Sequence, residues 1–292
     1  MLLELGPSHR YDVTHRALVM GILNRTPDSF YDRGEYWDFN SFLARADELV
    51  AQGADFLDIG GVKAGPGPEV STEEELERVL PAIEALVARV DVPISVDTWN
   101  AEVLEQSLSA GAVVGNDISG FSDPDYLRIC ATHEASVVAT HIRLAPRVPD
   151  PEPVYDDVLV EVRAFLRDKA EAALAAGIPH RRIMVDDGLD LGKTEPQSLE
   201  LLRTSEDLCA LGFATFLSAS NKRFLGDLVG TEVSDRHDAT LAAHALGIAK
   251  GCRILRSHDV AGSRRVADTM APILEARAEQ IERRGLESVG RP

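Results

Sequence analysis

Short apolar runs recur along the chain, and each ends in a polar or charged residue. Residues 17–23 form the first run and lead into Asn24. Later runs end in the same way at residues 54–61, 92–98, 112–120, 135–141, 182–188, 213–222 and 252–259. Segments with helical periodicity lie between them, at 39–52, 72–90, 100–110, 158–176 and 238–250. About eight alternating strand and helix units predict an α/β protein with a single (β/α)8 TIM barrel.

The polar residues that close the strands are the candidate functional residues. Parallel barrel strands bring all their carboxyl ends to one face, and active sites of this fold lie there. Residues far apart in sequence are therefore expected to converge, namely Asn24, Asp97, Asn116, His141, Asp186, Lys222 and Arg256.

Length alone would also allow two domains, but the even strand spacing favours one domain over residues 1–292, with a core at about 14–283 and a charged C-terminal tail, 279–292, that we expect to fray. The chain is 45% hydrophobic, yet no apolar run approaches the roughly 18 residues that span a bilayer, which argues against a membrane protein. Residues 1–16 are charged and resemble no secretory leader, and the three cysteines lack metal-ligand spacing. We expect a cytoplasmic protein with reduced thiols.

The net charge of −18 argues against a nucleic-acid partner, since phosphate binding needs a basic surface. Any anionic substrate must be held by local cations. Those near strand ends are Lys193, Lys222, Arg223, Arg253, Arg256 and His258.

Two carboxylates at strand ends suggest recognition of a flat heterocycle. Asp97 and Asp186 close apolar strands, where a carboxylate is costly unless paired. Together with Asn116, they suit a ligand edge that bears N–H donors, because such an edge can bond a carboxylate bidentately. The alternative for Asp97 is that it caps the following helix.

The last strand carries a candidate anion site. Arg256 and His258 precede a helix that is expected to begin near Asp259 with its positive end toward the same face. At the first strand, Asn24 and Asp28 offer oxygen ligands for Mg²⁺, which typically uses few protein oxygens plus substrate phosphates. Residues 143–156 contain four prolines and are predicted to form a loop that lies over the site.

The order and spacing of these motifs resemble the dihydropteroate synthase family from about residue 17 to 276. The matching segments are NRTPDSF (24–30), DIGG (58–61), SVDT (95–98), NDISG (116–120), DDGLDLGK (186–193), SNK (220–222) and RSHD (256–259). The resemblance implies a barrel that joins 6-hydroxymethyl-7,8-dihydropterin pyrophosphate to p-aminobenzoate with Mg²⁺, and that forms a homodimer.

The resemblance also implies roles for single residues. Those aligned with the pterin-binding positions are Asp97, Asn116, Asp186 and Lys222. Asn24 is implied to hold the metal, Arg256 and His258 to attend the pyrophosphate, and Ser220 and Leu191 to line the pocket of the second substrate.

The chain departs from the family pattern in its loops. Where the family reads GGESTRPG, residues 60–67 read GGVKAGPG, so Val62, Lys63, Ala64 and Gly65 replace Glu, Ser, Thr and Arg. Lys63 cannot reproduce the bidentate fork of the missing arginine.

Further departures follow strands five to seven. Leu191 stands where the family has an aromatic residue, Asp187 and Asp190 add acidic groups, Asn221 replaces an arginine, and Thr140 replaces the methionine before His141. Two lost arginines and one lost aromatic residue together weaken ligand contacts by on the order of 4–7 kcal/mol if additive.

We therefore expect a dihydropteroate-synthase-like protein that keeps much of the pterin pocket and has little or no synthase activity. The alternatives left open are a working synthase in which Lys63 and other loop cations substitute, a pterin-dependent methyltransferase, and a non-catalytic binding protein. The synthase and the methyltransferase both predict a pterin-like small molecule as ligand, whereas the non-catalytic binding protein does not.

Overall fold

The computed structural model describes residues 1–26 and 39–289. Within these residues the strands are β1 (Leu2–Leu5), β2 (His9–Asp12), β3 (Leu18–Ile22), β4 (Phe56–Gly60), β5 (Ile94–Asp97), β6 (Val114–Asp117), β7 (Ser136–Thr140), β8 (Ile183–Asp186), β9 (Ala214–Leu217) and β10 (Ile254–Ser257). Strands β3 to β10 are parallel and close into a barrel in chain order, because β10 pairs with both β9 and β3. The predicted (β/α)8 barrel is confirmed.

Helices follow the barrel strands and pack around them. They are α1 (Phe39–Ala51), α2 (Thr72–Val87), α3 (Ala101–Ser109), α4 (Tyr126–Thr132), α5 (Val158–Ala175), α6 (Glu195–Arg203), α7 (Ser205–Cys209), α8 (Arg223–Val229), α9 (His237–Lys250) and α10 (Val260–Val289). The expected frayed tail from residue 279 is instead helical in its backbone as far as Val289. No helix in the described part of the chain is long and apolar enough to cross a membrane.

Local sequence explains where several helices begin and end. Ser71 caps α2 by accepting a hydrogen bond from the Glu74 amide, and acidic residues in the first turn complement the helix dipole. Thr194 and Gln197 form a reciprocal capping box at α6. Gly251 ends α9 in the left-handed conformation that glycine adopts without steric cost.

An N-terminal hairpin, β1 paired with β2, closes the lower end of the barrel. Leu3 and Leu5 are fully buried and pack with the barrel-interior residues Leu18, Met20, Phe56, Val114, Val138, Met184, Phe216 and Ile254. The buried Glu4 carboxylate binds Arg182 at 3.0 Å and fixes the hairpin to the barrel. The sequence placed the start of the core at about residue 14, whereas the buried hairpin leucines belong to it. The single-domain assignment stays a prediction.

Candidate functional site

Strand register brings the candidate side chains to one level at the upper face of the barrel. Asp97 lies opposite Gly60 on one side and opposite Asn116 on the other. Across the barrel, Asp186 lies opposite Thr140. The strand-end residues that the sequence singled out therefore share one mouth, as predicted from parallel strand order.

The buried Asp58 carboxylate is the centre of a hydrogen-bond network in this mouth. Its Oδ1 accepts from the Ser95 hydroxyl at 2.7 Å, and its Oδ2 accepts from Asn116 Nδ2 at 3.0 Å. Oδ2 also accepts from Arg256 Nε at 2.8 Å. A fully buried charge is tolerated here because it is paired and its lone pairs are occupied.

Arg256 joins two carboxylates. While its Nε binds Asp58, its Nη2 donates to Asp97 Oδ2 at 2.8 Å. Burial raises the pKa of the Asp97 carboxyl to about 7, although the Arg256 charge opposes this shift. The structure thus shows the guanidinium engaged by acids, and its predicted role in pyrophosphate binding stays a prediction.

Asp97 does not cap the helix that follows it. Asn100 is the N-cap of α3, and its side-chain oxygen accepts from the amides of Glu102 and Val103. The capping alternative for Asp97 is therefore wrong, and its carboxylate faces the mouth network with Arg256.

Asp186 lies on the opposite side of the mouth and is held at both oxygens. Oδ1 accepts from the Gly188 amide at 2.8 Å, and Oδ2 accepts from the Ser218 hydroxyl. Each carboxylate oxygen has a second lone pair, so Asp186 can still accept from a ligand edge that carries two N–H groups.

Lys222 lies near Asp186 and Asp190. Burial lowers the pKa of its ammonium group, and the charges of these two acids oppose the shift. The ammonium forms no hydrogen bond with residues 1–26 or 39–289. Lys222 can therefore donate to a polar ligand atom beside Asp186.

Ser220 and His258 form a second pair at the mouth. The Ser220 hydroxyl lies 3.1 Å from His258 Nδ1 and accepts from the His258 amide at 3.1 Å. This pair connects the ends of β9 and β10. Leu191 lies half-buried in the loop after β8 (residues 187–193), where its amide donates to Gly188 O.

A buried lysine organises the β8 loop. Lys193 Nζ lies 2.9 Å from His141 Nδ1 and donates to the carbonyls of Gly188 and Leu191 at 2.9 and 3.1 Å. Burial and the Lys193 charge lower the pKa of His141 to about 3, so its imidazole is neutral and Nδ1 can accept. His141 and Lys193 therefore support the β8 loop, and the Lys193 ammonium is occupied by loop acceptors.

The two acids of the β8 loop, Asp187 and Asp190, have different surroundings. Asp187 is 2% exposed, and burial with the Asp186 charge raises the pKa of its carboxyl to about 8. It is thus largely protonated at neutral pH and adds little negative charge. Asp190 Oδ2 instead accepts from the Phe224 amide at 3.3 Å, at the start of α8.

Asn24 lies beside Asp97 at the end of β3. A Cβ placed on Gly60 would be 3.0 Å from Asn24 Oδ1 and 3.4 Å from Asp97 Cβ. Within residues 1–26 and 39–289 no group of three or more His, Cys, Asp or Glu side chains could hold a metal ion. Asp28, the other oxygen ligand expected from sequence, is outside the described residues.

The β4 loop (residues 61–71) and the β7 loop (residues 141–157) lie together beside the mouth. A cavity of about 530 Å³ lies between them, lined by Thr26, Lys63, Pro66, Gly67, Pro68, Glu69, Val70, Glu74, Arg78 and Arg147. Val62 is buried, and a Cβ on Gly65 would meet no atom of residues 1–26 or 39–289 within 4 Å. Among these described residues, no side chain lies against Gly65.

Comparison with known proteins agrees with this geometry. Residues 20–258 match the sequence profile of the pterin-binding enzyme family. The chain belongs to the pterin-binding enzymes. This match covers every barrel strand that carries a candidate pterin-binding residue.

Relatives of this chain include proteins named as inactive and proteins named as dihydropteroate synthases. An inactive dihydropteroate synthase 2 from Mycobacterium leprae is 41% identical over 93% of this chain and 95% of its own. A dihydropteroate synthase from Bacillus subtilis is 39% identical over 89% of each chain. The protein is therefore dihydropteroate-synthase-like, and sequence identity does not separate inactive from active relatives.

Solved structures in the family share the fold. The Yersinia pestis dihydropteroate synthase in complex with a sulfonamide drug matches with a TM-score of 0.88 and 33% identity, over 94% of this chain and 100% of its own. The Xanthomonas albilineans enzyme with 4-aminobenzoic acid matches with a TM-score of 0.84 and 38% identity, over 91% and 95%.

The sequence analysis missed Asp58 and Ser218 as site residues. Asp58 was recognised only as part of a motif, yet it lies in the centre of the mouth network. The signal was present, because a charged residue inside the apolar strand Phe56–Gly60 requires a partner. Ser218 follows β9 and gave no such signal.

Proposed function

We propose that this protein binds a pterin-like ligand at the barrel mouth and has little or no dihydropteroate synthase activity. Two sets of residues support binding: Asp97 and Asn116 on one side, and Asp186 with Lys222 on the other. Asp186 and Lys222 offer an acceptor and a donor to the amino and oxo edge of a pterin.

The residues of the β4 loop are the main support for the proposal of low synthase activity. Val62 is buried, Ala64 is apolar, and within the described residues no side chain comes within 4 Å of a Cβ placed on Gly65. In the resembled family this loop supplies an arginine to the pyrophosphate. Without it, the developing negative charge on the leaving group loses a charge-assisted hydrogen bond, which is worth roughly 1.5–3 kcal/mol.

Arg256 and His258 are the proposed anion-facing residues that remain. Arg256 is shared between Asp58 and Asp97, so part of its charge is balanced before any ligand arrives. A pyrophosphate group would compete with those carboxylates for the guanidinium. We propose Ser220 and Leu191 as the remnant of a second-substrate pocket.

We propose that Mg²⁺ accompanies a phosphorylated ligand and is not held by the protein alone. Asn24 offers one amide oxygen beside Asp97, which fits a metal that takes most of its ligands from phosphate and water. When bound there, the ion would neutralise phosphate charge, while Asn24 would orient it.

We also propose a homodimer in the cytoplasm. Leu228 and Val229 on α8 and Leu246 on α9 are 50%, 53% and 41% exposed, which supports an apolar contact between late helices. Cys130, Cys209 and Cys252 are free thiols, which supports a reducing compartment. Light scattering on the purified protein gives the oligomeric state directly.

A working synthase is the competing function, favoured by the 39% identity to the Bacillus subtilis enzyme. Calorimetry with 6-hydroxymethyl-7,8-dihydropterin pyrophosphate and Mg²⁺ measures binding, and addition of p-aminobenzoate to the same sample measures dihydropteroate formation. The Bacillus subtilis synthase assayed beside it is the control. Turnover comparable to the control contradicts our proposal, whereas pterin binding with little or no product supports it.

A further inference from the structure

Arg147 joins the β7 loop to the β4 loop through three hydrogen bonds. Its amide donates to Ala64 O at 2.9 Å, its Nη1 donates to Lys63 O at 3.1 Å, and its Nη2 donates to Pro68 O. All three acceptors are main-chain carbonyls of the β4 loop. One arginine therefore fixes that loop over at least residues 63–68.

The β4 loop is shaped to receive this side chain. A Cβ on Gly67 would lie 2.8 Å from Arg147 Nη2, so a larger residue there requires the guanidinium to shift from its present position. Arg147 itself has a φ of 67°, a left-handed conformation that is unfavourable for a residue with a Cβ. Such a conformation persists where surrounding contacts hold it.

The other end of the β7 loop is fixed to the β8 side of the mouth. The Tyr155 hydroxyl donates to Gly192 O at 2.7 Å, and Gln197 Nε2 donates to Pro153 O at 3.2 Å. Within the loop, Arg143 binds Asp150 through two hydrogen bonds. The β7 loop thus connects the β8 loop to the β4 loop, although β5 and β6 separate β4 from β7 in the barrel.

We propose that Arg147 is a positioning residue that latches the β4 loop to the β7 loop and so holds it in place before any ligand binds. The guanidinium suits this role because its planar fork reaches two carbonyls at once, whereas an ammonium group is a single point. The effect of the latch on ligand access rests on the proposed pterin site. The contact between the two loops does not depend on that site.

The latch predicts slow proteolysis at one bond. Trypsin cleaves after Lys63, and the carbonyl of that bond is the acceptor of Arg147 Nη1. Cleavage of a native loop follows the population of its open form when opening is fast. Losing one charge-assisted hydrogen bond changes that population by about tenfold.

The experiment is limited trypsin digestion of the ligand-free full chain, with cleavage after Lys63 quantified by mass spectrometry. We expect Arg147→Lys, which loses one of the two guanidinium hydrogen bonds, to accelerate it by about tenfold, and Arg147→Ala, which loses both, by about a hundredfold. Arg167→Ala, which removes an exposed arginine from α5, is the matched control and leaves the rate unchanged. Cleavage after the exposed Arg223 is the internal reference for global stability.

A second variant guards against a folding defect in Arg147→Ala. Gly67→Ala keeps Arg147 but forces its guanidinium away, so cleavage after Lys63 again accelerates while the Arg223 reference does not. Unchanged cleavage after Lys63 in both variants, or full protection in Arg147→Lys, overturns the latch.

Ligand addition separates this proposal from the proposed function. A ligand that binds the closed loop lowers the rate after Lys63 by mass action, so 6-hydroxymethyl-7,8-dihydropterin pyrophosphate and Mg²⁺ are expected to slow cleavage in wild type and Arg147→Ala by the same factor. A difference between wild type and Arg147→Ala that persists with ligand supports the latch, and equal ligand-free rates overturn it. Absence of heat on titration contradicts the pterin site but leaves the ligand-free result intact.

Discussion

Asp58 Oδ2 accepts a 2.8 Å hydrogen bond from Arg256 Nε, although the two residues lie 198 positions apart in the chain. Asp58 is fully buried and Arg256 side-chain exposure is 20%. This ion pair links β4 to β10 across β3 and sets the position of the guanidinium at the mouth.

Replacing Asp58 by Asn is expected to lower the free energy of unfolding by about 3 kcal/mol. The amide can keep its oxygen toward Asn116 Nδ2 and Arg256 Nε and turn its NH2 toward the Ser95 hydroxyl, so the variant loses the carboxylate charge that pairs with Arg256. Urea unfolding followed by circular dichroism measures the change. Asp168→Asn, at an exposed pair with Arg167, is the control with no measurable effect. Equal stability of both variants contradicts the central role of Asp58.

Asp186→Asn is expected to weaken binding of 6-hydroxymethyl-7,8-dihydropterin by roughly 10- to 100-fold. The amide cannot accept two hydrogen bonds from a ligand edge as a carboxylate does. Asp187→Asn is the matched control, because the Asp187 carboxyl is largely protonated at neutral pH and resembles an amide in charge. Calorimetry on the two variants separates them, and equal affinities count against Asp186 as the pterin anchor.

Stability is expected to fall as pH rises from about 4 to 6 through the titration of Asp117. Burial raises the pKa of its carboxyl from 3.8 to about 6, although hydrogen bonds from Ser119 and Phe121 and the charge of Lys169 oppose the shift. In this window the native state binds more protons than the unfolded state, so the slope of stability against pH is negative, with up to about 3 kcal/mol lost above pH 6.

Asp117→Asn removes this titration and tests its sign. The unfolding free energy of the variant differs from that of the wild type by an additional constant amount at every pH, because its amide faces the Ser119 and Phe121 N–H donors. The difference in unfolding free energy between wild type and variant is therefore read as a function of pH. A difference that stays constant between pH 4 and 6 shows that Asp117 does not titrate there.

Gly188→Ala is expected to cost more than about 3 kcal/mol or to prevent folding. Gly188 has a φ of 64°, and an added Cβ would overlap the carbonyl oxygen of His141. Gly177→Ala is the matched control, since its φ of 92° is also positive but nothing lies within 4 Å. The free energy of unfolding of the control is expected to fall by about 1 kcal/mol from backbone strain alone. Similar unfolding curves for both variants would falsify the packing argument.

Gly65→Arg is expected to raise dihydropteroate formation by about tenfold, corresponding to one regained charge-assisted hydrogen bond. A Cβ on Gly65 meets no atom of residues 1–26 or 39–289 within 4 Å, so the substitution does not disturb the loop at its branch point. Gly65→Ala is the control for the change in backbone freedom. Product formation that is the same in both variants means that the missing arginine is not what limits the reaction.

Periodicity alone predicted the barrel because alternating buried strands and amphipathic helices leave few other folds. The helix expected at 158–176 is observed at Val158–Ala175, and the others agree as closely at their starts. The sequence analysis missed the hairpin β1–β2, because apolar and polar residues alternate only weakly in its strands. Its buried leucines pack against the barrel interior, which local sequence does not indicate. The convergence of Asp97 and Asn116 followed from strand polarity.

The sequence by itself determined the barrel, the family and the residue types at the strand ends, because these depend on local periodicity and motif spacing. Only the tertiary structure decided how these groups are paired. Asp58 binds Arg256, Asp187 is buried and largely protonated, and Arg147 reaches the β4 loop. Such outcomes depend on distances and desolvation between strands and loops far apart in the chain, and no local pattern encodes them.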